Sequence, residues 1–255
     1  MTSFVALIPA RLGSVRLPRK PLADIGGAPM VVRVAQRAQA AHAARVVVAA
    51  DSDEIVAACA SHGVEAILTS PTHETGTDRL AEAFVRLGLD DETIVVNVQG
   101  DEPLIPSAVI ADVAASLARN ADCAIATAAH PLADGAEFFD PNIVKVVLDR
   151  GGRALYFSRA PIPWARDAFA GGRTALPAGL PAYRHVGLYA YRGGFLREYP
   201  RLARDPLERF ESLEQLRALA FGYRIAVLPL AQALPAGVDT PEQLALARAA
   251  YARGK

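Results

Sequence analysis

Hydrophobic and polar positions divide the chain into two rhythms. In the first half, short unbroken apolar runs alternate with longer segments whose apolar residues recur every three or four positions. The runs are FVALIP (4–9), RVVVAA (45–50), VEAILT (64–69) and TIVVNVQ (93–99). Such continuity suits strands of a parallel sheet covered on both faces, because neither side meets water. Between the runs, PMVVRVAQRAQAAH (29–42) gathers Val31, Val34, Ala35 and Ala38 on one helical face. DEIVAACASHG (53–63) predicts a helix closed by Gly63 in the C′ position. TDRLAEAFVRLG (77–88), with Leu80, Phe84 and Leu87 aligned, and PSAVIADVAASLARN (106–120) complete the series. This alternation predicts βαβ units with right-handed crossovers, hence an α/β fold with a doubly wound, mostly parallel sheet.

After residue 130 the rhythm changes. VKVVLD (144–149), ALYFS (154–158) and HVGLYAY (185–191) are strand-like without full-length helices between them. Residues 160–182 are rich in Pro, Gly and Ala and predict a long loop or lobe. ESLEQLRALAFGY (211–223) has helical spacing, RIAVLPL (224–230) is a strand, and TPEQLALARAAYAR (240–253) is a closing helix. Thr240 as N-cap, Pro241 at the first helical position and Gln243 three residues after the cap make a capping box. The chain, 1–255, is thus expected to be one domain, with a smaller β-containing lobe over roughly 130–223 inserted within it.

Composition narrows the partners. The 27 basic residues equal the 27 acidic ones, and a balanced chain lacks the basic excess that nucleic acid or a membrane surface would select. Cys59 and Cys123 both lie in apolar segments and predict buried thiols in a reducing cytoplasm. The N-terminal apolar run is too short for a signal peptide, and no stretch approaches the length of a membrane span.

With the net charge at zero, local clusters carry the information. Open parallel sheets bind ligands beyond the carboxyl ends of their strands. The loop leaving the first run, ARLGSVRLPRKPL (10–22), holds Arg11, Arg16, Arg19 and Lys20 around Gly13 and Ser14. It is neither a Walker loop nor a GxGxxG fingerprint. Its cations are charge-assisted donors and its small residues let backbone approach a ligand, a set suited to a polyphosphate; a solvated basic loop has the same composition.

In NVQGDEPLIP (97–106), Gln99, Gly100, Asp101 and Glu102 end a strand at that same edge. Asp101 is either a turn residue or a ligand for Mg²⁺, which takes one or two carboxylates together with phosphate oxygens. In GVDTPEQL (237–244), Asp239 stands just outside the capped helix, either favouring its dipole or pairing with Asp101 across a metal. HETGTDRL (73–80) turns into a helix whose first N–H groups can take a polar ligand. Its Arg79 either clamps a carboxylate or pairs with Asp78 or Glu82. YRHVGLYAYR (183–192) sets His185, Gly187 and Tyr189 on one strand face. A lone strand histidine also fits a purely structural role. FESLEQLR (210–217) brings Glu211, Glu214 and Gln215, which also fit a solvated helix face.

Taken together, IPAR-x-x-S-x-RLP-x-KPL, NVQGDEP, TGTDR, ALYFSR-x-PIPW, RHVGLYAYR, LEQLR and GVDTPEQL occur here in one order across residues 4 to 245. In that order they resemble the cytidylyltransferases that make CMP-Kdo from CTP and Kdo (3-deoxy-manno-octulosonate), a Rossmann-like nucleotidyltransferase family. The resemblance implies Mg²⁺-dependent transfer for lipopolysaccharide synthesis by a cytoplasmic homodimer. It places Arg11, Gly13, Ser14, Arg16 and Lys20 on CTP, and Asp101 and Asp239 on the metal. Arg79, Gln99, His185, Tyr189, Glu214 and Gln215 fall on motifs surrounding the sugar acid. The related CMP-sialic acid synthetases typically open their loop with GGSKGIP, where this chain has LGSVRLP; an 8-amino Kdo substrate stays open. Three positions depart from the family's usual pattern: Arg19 for Gly, Ala50 for Thr and Thr75 for Ser. Arg19 is accordingly expected to add a cation over the phosphates.

Overall fold

The computed structural model describes residues 2–14, 16–170, 172 and 175–254. The first apolar run forms β1 (Val5–Ala10), buried throughout except at half-buried Pro9. A small ribbon, β2 (Asp24–Ile25) with β3 (Ala28–Pro29), follows the basic loop and leads into α1 (Met30–Ala40). Then come β4 (Arg45–Ala50), α2 (Asp53–Ala60), β5 (Glu65–Leu68), α3 (Gly76–Arg86), β6 (Ile94–Asn97) and α4 (Ser107–Arg119). Every element predicted from periodicity in this half is present. Gly63 makes a left-handed turn (φ 67°), although α2 itself ends at Ala60.

The second half contains β7 (Ile125–Pro131), α5 (Gly135–Phe139), β8 (Lys145–Leu148), β9 (Ala154–Ser158) and β10 (Tyr183–Arg192). After these come α6 (Gly193–Glu198), α7 (Pro206–Glu211), α8 (Gln215–Ala220), β11 (Ile225–Pro229) and α9 (Pro241–Ala252). The capping box at Thr240 and Gln243 forms as predicted. Two features of this half differ from the sequence pattern. β7 gave no strand signal because its alanines, threonine and histidine carry little hydrophobic contrast, yet six of its seven residues are buried. The helix expected over 211–223 is broken at Ser212, whose left-handed backbone (φ 53°) ends α7 before α8 begins.

The main sheet runs β11-β7-β10-β6-β1-β4-β5, with β8 and β9 continuing from the start of β10. All neighbours along that path are parallel except β10, which is antiparallel to both β6 and β7. Alternate side chains of each strand feed two cores. Ala6, Ile8, Val48 and Val96 pack under α1, α2 and α4, whereas Leu7, Val47 and Val95 pack with Leu80 and Phe84 of α3 and with Phe195. Helices on both faces explain why these strands are apolar without alternation. A separate cluster joins Phe138 and Leu132 to Phe169 of the loop before β10. Among the described residues, no helix is long and apolar enough to cross a membrane.

Candidate active site

The carboxyl ends of β1, β4 and β6 present the loops that carry most of the predicted chemistry. Asp51, just after β4, accepts from the Leu12 backbone N–H at 3.1 Å and pins the basic loop. Ser14 is half-buried and its hydroxyl accepts from Leu17 N–H at 3.4 Å, while Gly13 is exposed. Arg19 takes the left-handed conformation (φ 57°) that glycine adopts without cost, and its guanidinium bonds to Glu54 of α2. This corrects the expectation that it faces the site: the extra cation is turned aside by a helix carboxylate.

Two glycines bring the acidic loops together. A Cβ on residue 100 would lie 2.7 Å from the Pro9 carbonyl oxygen, so glycine is needed where the chain leaving β6 passes the end of β1. Asp101 follows directly. Its carbonyl accepts from Val238 N–H at 2.8 Å, and a Cβ on Gly237 would come 3.0 Å from Glu102 Oε1. The segment before α9 therefore lies flat on the 101–102 turn. Gln243 of the capping box also accepts from Asp239 N–H at 2.7 Å, fixing that residue beside Asp101.

The two aspartates converge on one cation. Lys20 Nζ donates to Asp101 Oδ2 at 2.7 Å and to Asp239 Oδ1 at 2.8 Å, and Arg16 donates to Asp239 Oδ2 at 2.8 Å. The bonded carboxylate oxygens are therefore at most about 5.5 Å apart, the sum of the two lysine contacts. Burial opposes the charge of Lys20, but Asp101 and then Asp239 outweigh it and raise its pKa. Burial likewise opposes the charge of Asp239, and Lys20 and Arg16 overcome it and lower its pKa. For Glu102 burial first, then Asp101 and Asp239, outweigh the relief from Lys20 and Arg184 and push its pKa up to about 8. Among the described residues no group of three or more His, Cys, Asp and Glu could hold a metal alone. Two oxygen donors already gathered around a cation do fit Mg²⁺, whose remaining positions are filled by phosphate oxygens and water.

Three cavities meet here, and Gln99 lines them all. The first, of about 270 Å³, is walled by Arg11, Lys20, Asp101 and the 73–76 turn, with Arg79. Arg79 is 3% exposed and donates to Thr69 Oγ1 at 2.6 Å and to the Ser70 carbonyl at 3.1 Å. It thus stands with the loop cations, apart from His185, with which the sequence motifs had grouped it. Burial lowers its pKa against the pull of Asp51 and Glu82.

The second cavity, of about 670 Å³, surrounds Asp101 and Asp239 with Arg16, Arg159, Arg184 and His185. His185 Nε2 lies 3.0 Å from Thr127 Oγ1, and burial pushes its pKa down to about 3, so the ring is neutral at pH 7. Arg159 was not singled out in the sequence although it lies inside the quoted ALYFSR-x-PIPW motif. Its backbone N–H donates to Glu211 Oε2 at 2.9 Å and its Nε to the Glu211 carbonyl at 2.7 Å. Buried Lys145 holds the same corner, donating to the carbonyls of Asp140, Ile143 and Arg159 at 2.9, 2.6 and 2.6 Å.

The third cavity, of about 200 Å³, contains Tyr189, Glu214 and Gln215 together with Asn97. The register of β10 shifts between Val186 and Tyr189 and then resumes. Because His185 and Tyr189 pair with Ala129 and Thr127, two apart on β7, they stay on one face as predicted; their rings are 5.3 Å apart. Gln215 is buried rather than solvated, and Glu214 accepts from Thr77 Oγ1 at 2.5 Å, tying the start of α8 to the first turn of α3. The polar residue inside the run TIVVNVQ was the available signal for Asn97.

The sequence pattern of the cytidylyltransferase family matches residues 5–225 of this chain. Among solved structures, the chain is similar to a CMP:2-keto-3-deoxy-manno-octonic acid synthetase complexed with CTP. The TM-score is 0.90 at 40% sequence identity, and the match covers 99% of this chain and 100% of that one.

Proposed function

This chain belongs to the cytidylyltransferase family, and from that premise we propose that it activates Kdo with CTP, releasing pyrophosphate and CMP-Kdo. The observation that carries the reading is the end-to-end likeness to a CMP-Kdo synthetase at 40% identity. The charge arrangement supports it. Arg11 and Lys20 line the first cavity and would hold the triphosphate, with Gly13 and Ser14 keeping the loop low enough for close approach. Arg79, in the same wall, supports the nucleotide rather than the sugar. Arg16, which the family resemblance put on CTP, lines the second cavity with Arg159 and Arg184, where the three offer cations to the sugar's carboxylate, and neutral His185 offers a hydrogen bond to a hydroxyl.

In the reaction, the 2-hydroxyl oxygen of Kdo bonds to the α-phosphorus of CTP. The α–β phosphoanhydride bond breaks, its electron pair leaves with pyrophosphate, and the hydroxyl's proton is released to solvent. Little covalent work falls to the protein, whose side chains align the two substrates and balance charge on the leaving group. Asp101 and Asp239 are the residues that would hold Mg²⁺, which when bound neutralises phosphate charge and acidifies the sugar hydroxyl. Family likeness also supports a cytoplasmic homodimer serving lipopolysaccharide assembly. Exposed Leu155, Leu207 and Phe210 offer apolar surface for a second copy. Pyrophosphate release from protein, CTP, Mg²⁺ and Kdo, with none when sialic acid replaces Kdo, is the expected result. No release with Kdo overturns the reading.

A further inference from the structure

The turn that carries Asp101 is held from outside at alternate carbonyls. Its own backbone makes two local bonds, Glu102 N–H to the Gln99 carbonyl at 3.1 Å and Ile105 N–H to the Glu102 carbonyl at 3.2 Å. Pro103 and Pro106 have no N–H to add more. The Asp101 carbonyl accepts from Val238 N–H at 2.8 Å, the Pro103 carbonyl from the Tyr251 hydroxyl at 2.9 Å, and the Ile105 carbonyl from Arg37 Nε at 3.0 Å. Of these donors Tyr251 is the farthest from Asp101 in sequence. It stands near the C-terminal end of α9, about 15 Å along the helix from Pro241.

The same helix touches three loops of the site. Leu244, Ala247 and Tyr251, spaced three and four apart, share one face. That face lies in one cluster with Leu17 of the basic loop, Leu104 of the Asp101 turn and Val238, the neighbour of Asp239. Gln243 fixes Asp239 at the start of the helix, and Tyr251 returns near its end to the turn bearing the other aspartate. α9 is therefore a template against which the two carboxylates are spaced. Only Asp101 and Glu102 separate Gly100 from Pro103, so a displacement of the Pro103 carbonyl reaches Asp101 within two residues. Pro103 is buried, and a buried carbonyl stripped of its donor bears its full desolvation cost, which favours such a displacement.

We propose that Tyr251 is a positioning residue for the transfer reaction: its hydroxyl, by fixing the Pro103 carbonyl, keeps Asp101 at the spacing from Asp239 at which both bond Lys20 and would hold Mg²⁺. The proposal rests on the role given above to the two aspartates. Arg33, whose guanidinium lies 4.8 Å over the Tyr251 ring, steadies the phenol from α1, a contact that phenylalanine keeps.

Tyr251→Phe removes the hydroxyl and leaves the ring. In this variant kcat should fall by roughly 5- to 10-fold, the effect of one hydrogen bond, with the CTP KM changed by less than about twofold. The second readout needs neither substrate nor metal. Amide hydrogen exchange at Val238, whose N–H bonds to Asp101, should quicken about fivefold while amides of β1 and β4 keep their rates. Arg248→Met is the control. It removes a bond of the same kind from the same helix, to the Asp24 carbonyl at 2.8 Å, and should leave kcat and Val238 exchange within about twofold of wild type. Unchanged kcat in Tyr251→Phe overturns the proposal. So does a fall in kcat with Val238 exchange unchanged, a general rise in exchange that includes β1 and β4, or equal losses in Arg248→Met. If wild type does not turn over Kdo, the underlying reading fails instead, and Val238 exchange then decides alone whether Tyr251 positions the turn.

Discussion

Glu102 makes the stability of this protein depend on pH in a way that a single isosteric substitution isolates. Its carboxyl lies under Gly237 beside the two aspartates. Burial first, then repulsion from Asp101 and Asp239, raise its pKa from 4.5 to about 8, with partial relief from Lys20 and Arg184. Between those values the folded chain keeps a proton that the unfolded chain has released. Stability from this group is therefore whole below pH 4.5 and falls as pH rises toward 8. Each unit in that window costs about 1.4 kcal/mol, so raising the pH from about 5 to 7 removes on the order of 3 kcal/mol.

Glu102→Gln keeps the shape of the protonated acid and removes its titration. His185 acts in the opposite sense, since its folded pKa of about 3 makes stability rise with pH up to its unfolded value of 6.5. Asp239, lowered below 3.8, acts only in stronger acid. Both are shared by the two proteins and cancel in their difference. Urea unfolding in EDTA at pH 5, 6 and 7 should show the variant gaining on wild type by about 1.4 kcal/mol per unit. A difference that stays constant over that range, or that shrinks as pH rises, refutes the argument.

Two further outcomes follow from the site. Asp101→Asn should cut turnover by ~10²-fold or more, on the order of 2.7 kcal/mol, in a protein that still folds; pyrophosphate release at saturating substrates measures it, and near wild-type turnover removes Asp101 from the mechanism. Arg79→Ala should raise the KM for CTP by roughly tenfold, the worth of one charged hydrogen bond, because its guanidinium supports the wall shared with Arg11 and Lys20. A change confined to the KM for Kdo would return Arg79 to the sugar.

What could be read from the sequence is whatever the chain states locally. Unbroken apolar runs mean strands covered twice, and β1, β4 and β6 are buried on both faces. Thr240 and Gln243 advertise their own helix start. Asp101 and Asp239 stood out as acids without a local duty, and they do meet, across Lys20. What escaped depends on partners distant in the chain. Arg19 needed Glu54 to turn it away, and Arg79 needed Thr69 to hold it in the wall that Arg11 and Lys20 also line. Ser212 breaks a segment whose helical spacing is otherwise continuous, while Glu214 is tied to α3 and Arg217 to Glu208.

Asn97 is the instructive case. In a run such as TIVVNVQ an amide is tolerable at the strand's end if its neighbour across the sheet supplies a bond, and sequence alone cannot name that neighbour. The fold does: Asn97 pairs with Tyr189 in the register and bonds to Tyr191, two residues on, and the irregularity before Tyr189 sets which residues of β10 line the same space. One residue more or less in that irregularity would turn Tyr189 to the other face of the sheet. The tyrosine wall beside Asn97 therefore arises from one structural choice, the antiparallel insertion of β10 between β6 and β7. An otherwise parallel sheet gains there a strand whose Tyr189 and Tyr191 line the third cavity at the sheet's centre, beside the ends of β1 and β6.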